Sequence, residues 1–190
     1  MSIYNWVRPM PKEALIVVDM QRDFMPRGAL PVPEGDTIIP KCNEYIRKFK
    51  EKGALIVATR DWHPPPNHIS FKERGGPWPP HCVQNTPPGA EFVVDLPEDA
   101  VIISKATEPD KEAYSGFEGT NLAEILRENG VEKVYICGVA TEYCVKATAL
   151  DAAKHGFETY LLSDAVKGIN PPEDEKKALE EMKKAGVKIL

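Results

Sequence analysis

Short apolar runs alternate with amphipathic stretches along most of this chain. The runs fall at residues 14–18, 54–58, 101–103, 134–137, 159–162 and 187–190. Their apolar character is continuous rather than alternating, which is the pattern of strands buried on both faces of a parallel sheet. Between the first two, Ile38, Ile39, Cys42, Tyr45, Ile46 and Phe49 share one helical face, with Asp36 as N-cap and Gly53 just past the end. Leu122, Ile125 and Leu126 mark a second helix that stops near Gly130. A third runs over 141–155 with Thr141 as its cap and Gly156 as its stop. A fourth follows Pro171–Pro172 through Leu179 and Met182 to Gly186. Strand–helix alternation with right-handed crossovers predicts a three-layer α/β/α fold around a mostly parallel sheet of about six strands. At 190 residues the chain has the length of one domain, and no linker divides it.

The stretch 62–97 breaks this rhythm. It holds 9 of the 18 prolines and little periodicity, and a loop this long inside a domain is more often functional than idle. The formal charge of −5, with no long basic run, argues against a nucleic-acid or polybasic membrane binder. No apolar stretch reaches the roughly 18 residues that span a bilayer, and residues 1–10 contain no apolar signal region, so a cytoplasmic location is expected. Cys42, Cys82, Cys137 and Cys144 form no Cys-x-x-Cys pair and read as free thiols.

Ligands of open parallel sheets bind beyond the carboxyl ends of the strands. Asp19 follows the first run, Asp61 and His63 the second, Lys105 the third, and Gly138-Val139-Ala140-Thr141-Glu142-Tyr143-Cys144 the fourth. Asp164 follows the fifth and reads as a turn cap. Cys144 lies about one turn into a helix, where backbone N–H groups and a nearby lysine would stabilise a thiolate, with Asp19 managing its proton. A cysteine at a helix start is commonly inert packing, but Asp19 and Lys105 on the same edge reverse that weighting. Cys42 and Cys137 read as core. Asp61, His63 and His81 offer a carboxylate and two imidazoles, a set that holds a metal ion, with His68 as a further donor. Single loop histidines are usually just solvated; their concentration in one proline-stiffened loop argues for a site. Phe24, Trp78 and Tyr114 could sandwich a flat ring, and taken singly each reads equally well as a loop hydrophobe covering the core. No phosphate-binding glycine loop occurs.

The segments Ala14–Phe24, Asp61-Trp62-His63, Lys105, Ser115-Gly116-Phe117-Glu118-Gly119 and Gly138–Cys144 resemble, in order, those of the nicotinamidases, also called pyrazinamidases, among the isochorismatase-like cysteine hydrolases. The resemblance runs from about Glu13 to Leu190 and leaves residues 1–12 outside it. It implies Cys144 as nucleophile, Asp19 as proton-transfer group and Lys105 as supporting cation. It implies an oxyanion hole from the Ala140 and Cys144 amides beside a cis Val139–Ala140 peptide, and a ring site lined by Phe24, Trp78 and Tyr114. Asp61, His63 and His81 would hold one divalent metal, zinc first with iron or manganese as alternatives, and His68 serves only some members. The implied activity is hydrolysis of nicotinamide to nicotinate and ammonia through a cysteine thioester, with pyrazinamide beside it, in NAD salvage. Relatives are often dimers or larger, which leaves a homo-oligomer open. Two rivals stand beside this reading. One is a carbamoyl or small-amide hydrolase of the same superfamily, in which the metal ligands are usually absent. The other is a non-catalytic metal-binding or thiol-sensing module.

Overall fold

Six parallel strands make one sheet: β1 (Lys12–Val18), β2 (Leu55–Asp61), β3 (Val101–Lys105), β4 (Val131–Val139), β5 (Glu158–Lys167) and β6 (Lys188–Ile189). Their order across the sheet is β3-β2-β1-β4-β5-β6, and all five pairings are parallel. The computed structural model describes residues 12–190, so the expectation for the N-terminal extension lies, apart from Lys12, outside the described residues. The continuous apolar run in β1 is explained by cover on both faces. Ala14, Ile16 and Val18 pack with helices α2 (Leu122–Glu128), α3 (Lys146–Lys154) and α4 (Glu173–Lys184) through Leu126, Ala149 and Met182. Leu15 and Val17 pack instead with Cys42, Ile46 and Phe49 of α1 (Ile39–Glu51), beside Cys82, Ala90 and Val94 of the 62–97 loop. This is the expected three-layer arrangement. The four cysteines are free and buried.

Three local expectations are corrected. Asp36 does not cap α1: it lies in a 3₁₀ turn, Gly35–Ile38, that leads straight into the helix, and Ile38 at the cap position offers no side-chain bond. Thr141 does not cap the third helix either: Ala140 holds the cap position, and the Thr141 hydroxyl donates to Glu175 of α4 at 2.9 Å. The chain makes a π-helical turn over Thr141–Val145 before α3 begins. Asp164 is no turn residue: β5 runs through it to Lys167, and its exposed carboxylate accepts the Tyr45 hydroxyl at 2.8 Å.

Gly138 is where the sheet most needs a glycine. Its φ is 119°, and a Cβ there would stand 2.1 Å from the Val18 carbonyl oxygen. At this point β4 passes close against the end of β1, and the register between β4 and β5 shifts. No helix among the described residues is long and apolar enough to cross a membrane.

Candidate active site

The strand order reverses direction between β1 and β4, so their carboxyl ends bound the crevice where parallel sheets bind ligands. Asp19 leaves β1 with φ of 50°, a left-handed turn tied to β2 by its N–H donating to the Thr59 carbonyl at 3.1 Å. The Thr59 hydroxyl donates to Asp19 Oδ1 at 2.7 Å. Lys105, at the end of β3, is fully buried and reaches back across the sheet edge. Its Nζ donates to Asp61 Oδ1, donates to Cys144 Sγ at 3.2 Å, and stands 2.9 Å from Asp19 Oδ2. Acid, cation and thiol therefore meet, with carboxylate oxygens of Asp19 and Asp61 and the Cys144 sulfur all within 4.8 Å of one another.

One cation between two buried carboxylates sets the electrostatics. Burial and its neighbours act oppositely on Lys105; Asp19, Asp61 and Cys144 prevail and hold the ammonium charged well above its ordinary range. Burial would raise Asp61, but Lys105, His63 and His81 outweigh it and keep this carboxylate ionised far below the usual range. Asp19 goes the other way: burial, with Asp61 nearby, raises its pKa despite Lys105. Burial also pushes the Cys144 thiol well up, and Lys105 only partly offsets that. The thiolate expected from a helix start is thus corrected. The group is 7% exposed, the turn around it is π-helical, and it rests as a thiol beside an acceptor already inclined to take a proton.

The 62–97 loop folds back so that His81 joins Asp61 and His63. The His63 N–H donates to the Cys82 carbonyl at 3.0 Å, and the Gln84 N–H donates to the His63 carbonyl at 2.8 Å. His63 Nδ1 lies 2.8 Å from the carbonyl of His81, and His81 Nδ1 lies 2.8 Å from that of Pro79. A carbonyl only accepts, so both Nδ1 atoms carry a proton, and each ring is left with its Nε2 turned away from the loop backbone. His81 Nε2 faces Asp61 Oδ2 at 3.5 Å, and the buried His63 Nε2 has no hydrogen-bond partner. One donor atom from each of the three side chains falls within 4.8 Å of the others. Two imidazole nitrogens and a carboxylate oxygen, one of them orphaned, fit a divalent cation with a position left open. His68 lies against His63 with ring centroids 4.3 Å apart and planes tilted by 30°, but its nitrogens are engaged. Nδ1 accepts the Ser70 N–H at 3.2 Å, and Nε2 meets the Lys111 carbonyl at 2.8 Å.

A narrow, almost wholly apolar slot opens above Cys144. Phe24, Trp78 and Tyr114 line it, as the sequence leads one to expect, together with Asp19, Asp61 and His81. Trp78 Nε1 donates to the Tyr114 hydroxyl at 3.2 Å, and Phe24 meets the His81 ring edge-on at 5.6 Å. Val139 and Ala140, joined by a cis peptide, form the floor beside the thiol.

Residues 13–190 match the family model described as the isochorismatase domain. The chain belongs to the isochorismatase family. Among solved structures of the family, the pyrazinamidase of Pyrococcus horikoshii in complex with zinc is 86% identical. It superposes with a TM-score of 0.92, covering 95% of this chain and 99% of that one. A protein from L. infantum in complex with nicotinate is 37% identical, with a TM-score of 0.86 over 95% of this chain and 92% of that one. The nicotinamidase of Escherichia coli K12 is 35% identical over 204 residues, 95% of each chain.

Within this isochorismatase-family enzyme, several residues around the slot carry no sequence signal of their own. Leu30 and Ile169 complete its walls from loops without periodicity, and Tyr143 stands 5.1 Å from Trp78 and 5.6 Å from Tyr114 between ring centroids. Tyr143 lies in the same 138–144 segment as Cys144, so its position alone could have marked it. Gln21 is a buried support. Its amide oxygen accepts the Asp61 N–H at 2.9 Å, and its amide nitrogen donates to the carbonyls of Asp61 at 2.9 Å and Ala90 at 3.1 Å.

Proposed function

We propose that this enzyme hydrolyses nicotinamide, and pyrazinamide beside it, to the carboxylic acid and ammonia through a Cys144 thioester. Residues 13–190 would act as one hydrolase domain. The observation that carries the reading is Lys105, whose ammonium touches the Cys144 thiol and both buried carboxylates beneath an aromatic slot. Its relatives support the substrate: one named a pyrazinamidase, one a nicotinamidase, one solved with nicotinate.

The carboxamide enters the slot ring-first between Phe24, Trp78 and Tyr114, which hold it over the thiol and exclude water. Asp61, His63 and His81 would hold a divalent ion, the Pyrococcus relative being solved in complex with zinc, and when bound that ion would supply a Lewis acid for the ring nitrogen. Asp19 accepts the thiol proton as Cys144 sulfur attacks the amide carbon, and Lys105 stabilises the sulfur while its charge develops. The backbone N–H groups of Ala140 and Cys144 receive the oxyanion. The proton on Asp19 passes to the amide nitrogen as the C–N bond breaks; ammonia leaves and a C–S thioester remains. Asp19 then draws a proton from water as its oxygen attacks the same carbon. The C–S bond breaks as Asp19 returns that proton to the sulfur, so the acid is released and the thiol restored.

The test is ammonia release from nicotinamide by the purified chain, before and after chelation, alongside Cys144→Ala. Release that chelation removes and zinc restores, absent in C144A although nicotinamide still binds, is the expected result. Undiminished release by C144A would sink the thioester route. No release from folded, metal-loaded protein would turn the assignment to a carbamoyl substrate.

A further inference from the structure

The buried acidic side chains among the described residues are Asp19, Asp61 and Glu142. The first two share Lys105. Glu142 has no lysine or arginine within ion-pair distance among the described residues, although it is only 8% exposed. A buried carboxylate without a counter-charge is costly unless hydrogen bonds replace its water. Here two backbone donors do so: the Ile169 N–H at 2.7 Å to Oε1 and the Asn170 N–H at 3.1 Å to Oε2. Such charge-assisted bonds are roughly twice as strong as neutral ones, and a pair of them fixes direction as well as distance.

The two ends of this grip both adjoin the slot. Glu142 sits in the π-helical turn two residues before Cys144, and that turn is held from behind by the Thr141–Glu175 bond. Ile169 lines the slot itself. Gly168 lets the chain pass beneath the carboxylate: a Cβ there would stand 2.8 Å from Glu142 Oε2 and 2.4 Å from Glu175 Cγ. The loop after β5 has no other side-chain bond to the nucleophile turn among the described residues.

From this geometry we infer that Glu142 is a positioning residue which fixes Ile169 as one wall of the ring slot, and so sets which acyl groups reach Cys144. The wall and the nucleophile are registered to each other through one carboxylate. The inference rests on reading the slot as the acyl-group site of the Cys144 reaction, but not on which amide is the substrate.

The experiment compares the rate of Cys144 alkylation by iodoacetamide with that by its ring-bearing analogue N-phenyl iodoacetamide, read by peptide mass. Both are measured in the full wild-type chain, E142Q, I169A and the double variant. Gln keeps the shape but turns an N–H toward one backbone N–H, so half the grip is lost. Each single variant is expected to shift the ratio of the two rates by about tenfold in the same direction, the scale of one altered pocket contact. The double variant is expected to shift it no further than the larger single, since both act on one wall. A ratio unchanged in E142Q, or shifts that multiply in the double variant, would overturn the inference. A merely structural Glu142 would lower the melting temperature without moving the ratio. Should E142Q fail to fold, E142D keeps the charge while falling short of the two amides, and the same outcomes apply. Ammonia release by wild type tests the nicotinamide reading separately, because the alkylation ratio is readable whichever amide is hydrolysed.

Discussion

Lys105 donates to Oδ1 of Asp61, while Oδ2 of the same carboxylate turns toward His81. One side chain therefore joins the charged cluster around the thiol to the histidine pair. Asp61 is buried and ionised because it has these cationic and hydrogen-bonding neighbours on both sides, and it leaves Lys105 free to serve Asp19 and Cys144 as well.

Removing the cation exposes that dependence. Lys105→Met fills similar space but leaves Asp19 and Asp61 buried without a counter-charge. Breaking a buried pair in this way costs about 3–5 kcal/mol. The denaturation midpoint of the variant should fall accordingly in urea titration, and turnover should drop by at least about a hundredfold at temperatures where it remains folded. Full activity in a stable K105M protein would remove Lys105 from the chemistry.

Asp19 gives a pH signature with a defined sign. Its pKa is raised from 3.8 by burial, so as a proton acceptor it gains competence only as pH rises through that higher value. The acid limb of the rate profile should lie above that of an ordinary aspartate. A group whose folded pKa is raised stabilises the fold fully below its unfolded pKa, and that contribution is lost as pH climbs through the folded one. Asp19→Asn keeps an acceptor for the Thr59 hydroxyl and never ionises. It should be inactive, and its melting temperature relative to wild type should increase with pH. Parallel melting curves across pH would contradict the raised pKa.

For the metal cradle, His63→Ala removes the one donor nitrogen that is buried without a hydrogen-bond partner. Wild-type protein stripped by chelator should gain thermal stability on adding zinc, by about 2.7 kcal/mol when the free ion is at 100 times Kd. H63A should show little of that gain and should copurify with less metal by elemental analysis. Equal metal content in both proteins would place the ion elsewhere.

Gly138→Ala tests the backbone beneath the nucleophile turn. The added methyl would collide with the Val18 carbonyl and occupy a φ that disfavours side chains. Relief requires β4 to draw away from β1. The expected destabilisation exceeds about 3 kcal/mol, in the range of severe core lesions, and is read from thermal or chemical melts. A stable G138A chain would mean that the strand end yields more easily than its packing implies.

The features legible in the sequence are those that local pattern controls. Continuous apolar runs announced both-face burial for Leu15 and Ile16 alike, and the polar residues just beyond those runs, Asp19, Asp61 and Lys105, converge because parallel strands end together. Chemistry carried by long-range backbone contacts left no trace. Glu142 bonds to amides 27 and 28 positions away, and Gln21 pairs with Asp61 across 40, so neither spacing forms a pattern. Thr141 reads as a cap because Ser and Thr usually cap helices, yet the π-helical turn already begins at Thr141, and its hydroxyl donates to Glu175 of another helix. Cys144 departs from its local pattern for a related reason: a helix start and a lysine argue for a thiolate, but burial, set by the whole packed fold, pushes the thiol up.

The two imidazoles of the cradle are aimed by carbonyls of their own loop, His63 by that of His81 and His81 by that of Pro79. Their orientation is therefore written into the main chain and does not wait for an ion to impose it. An ion bound there, as proposed, would meet finished geometry, and exchange of one metal for another would not need to unravel the fold around it. The identity of a metal held there would then follow from the supply around the protein at least as much as from the protein itself.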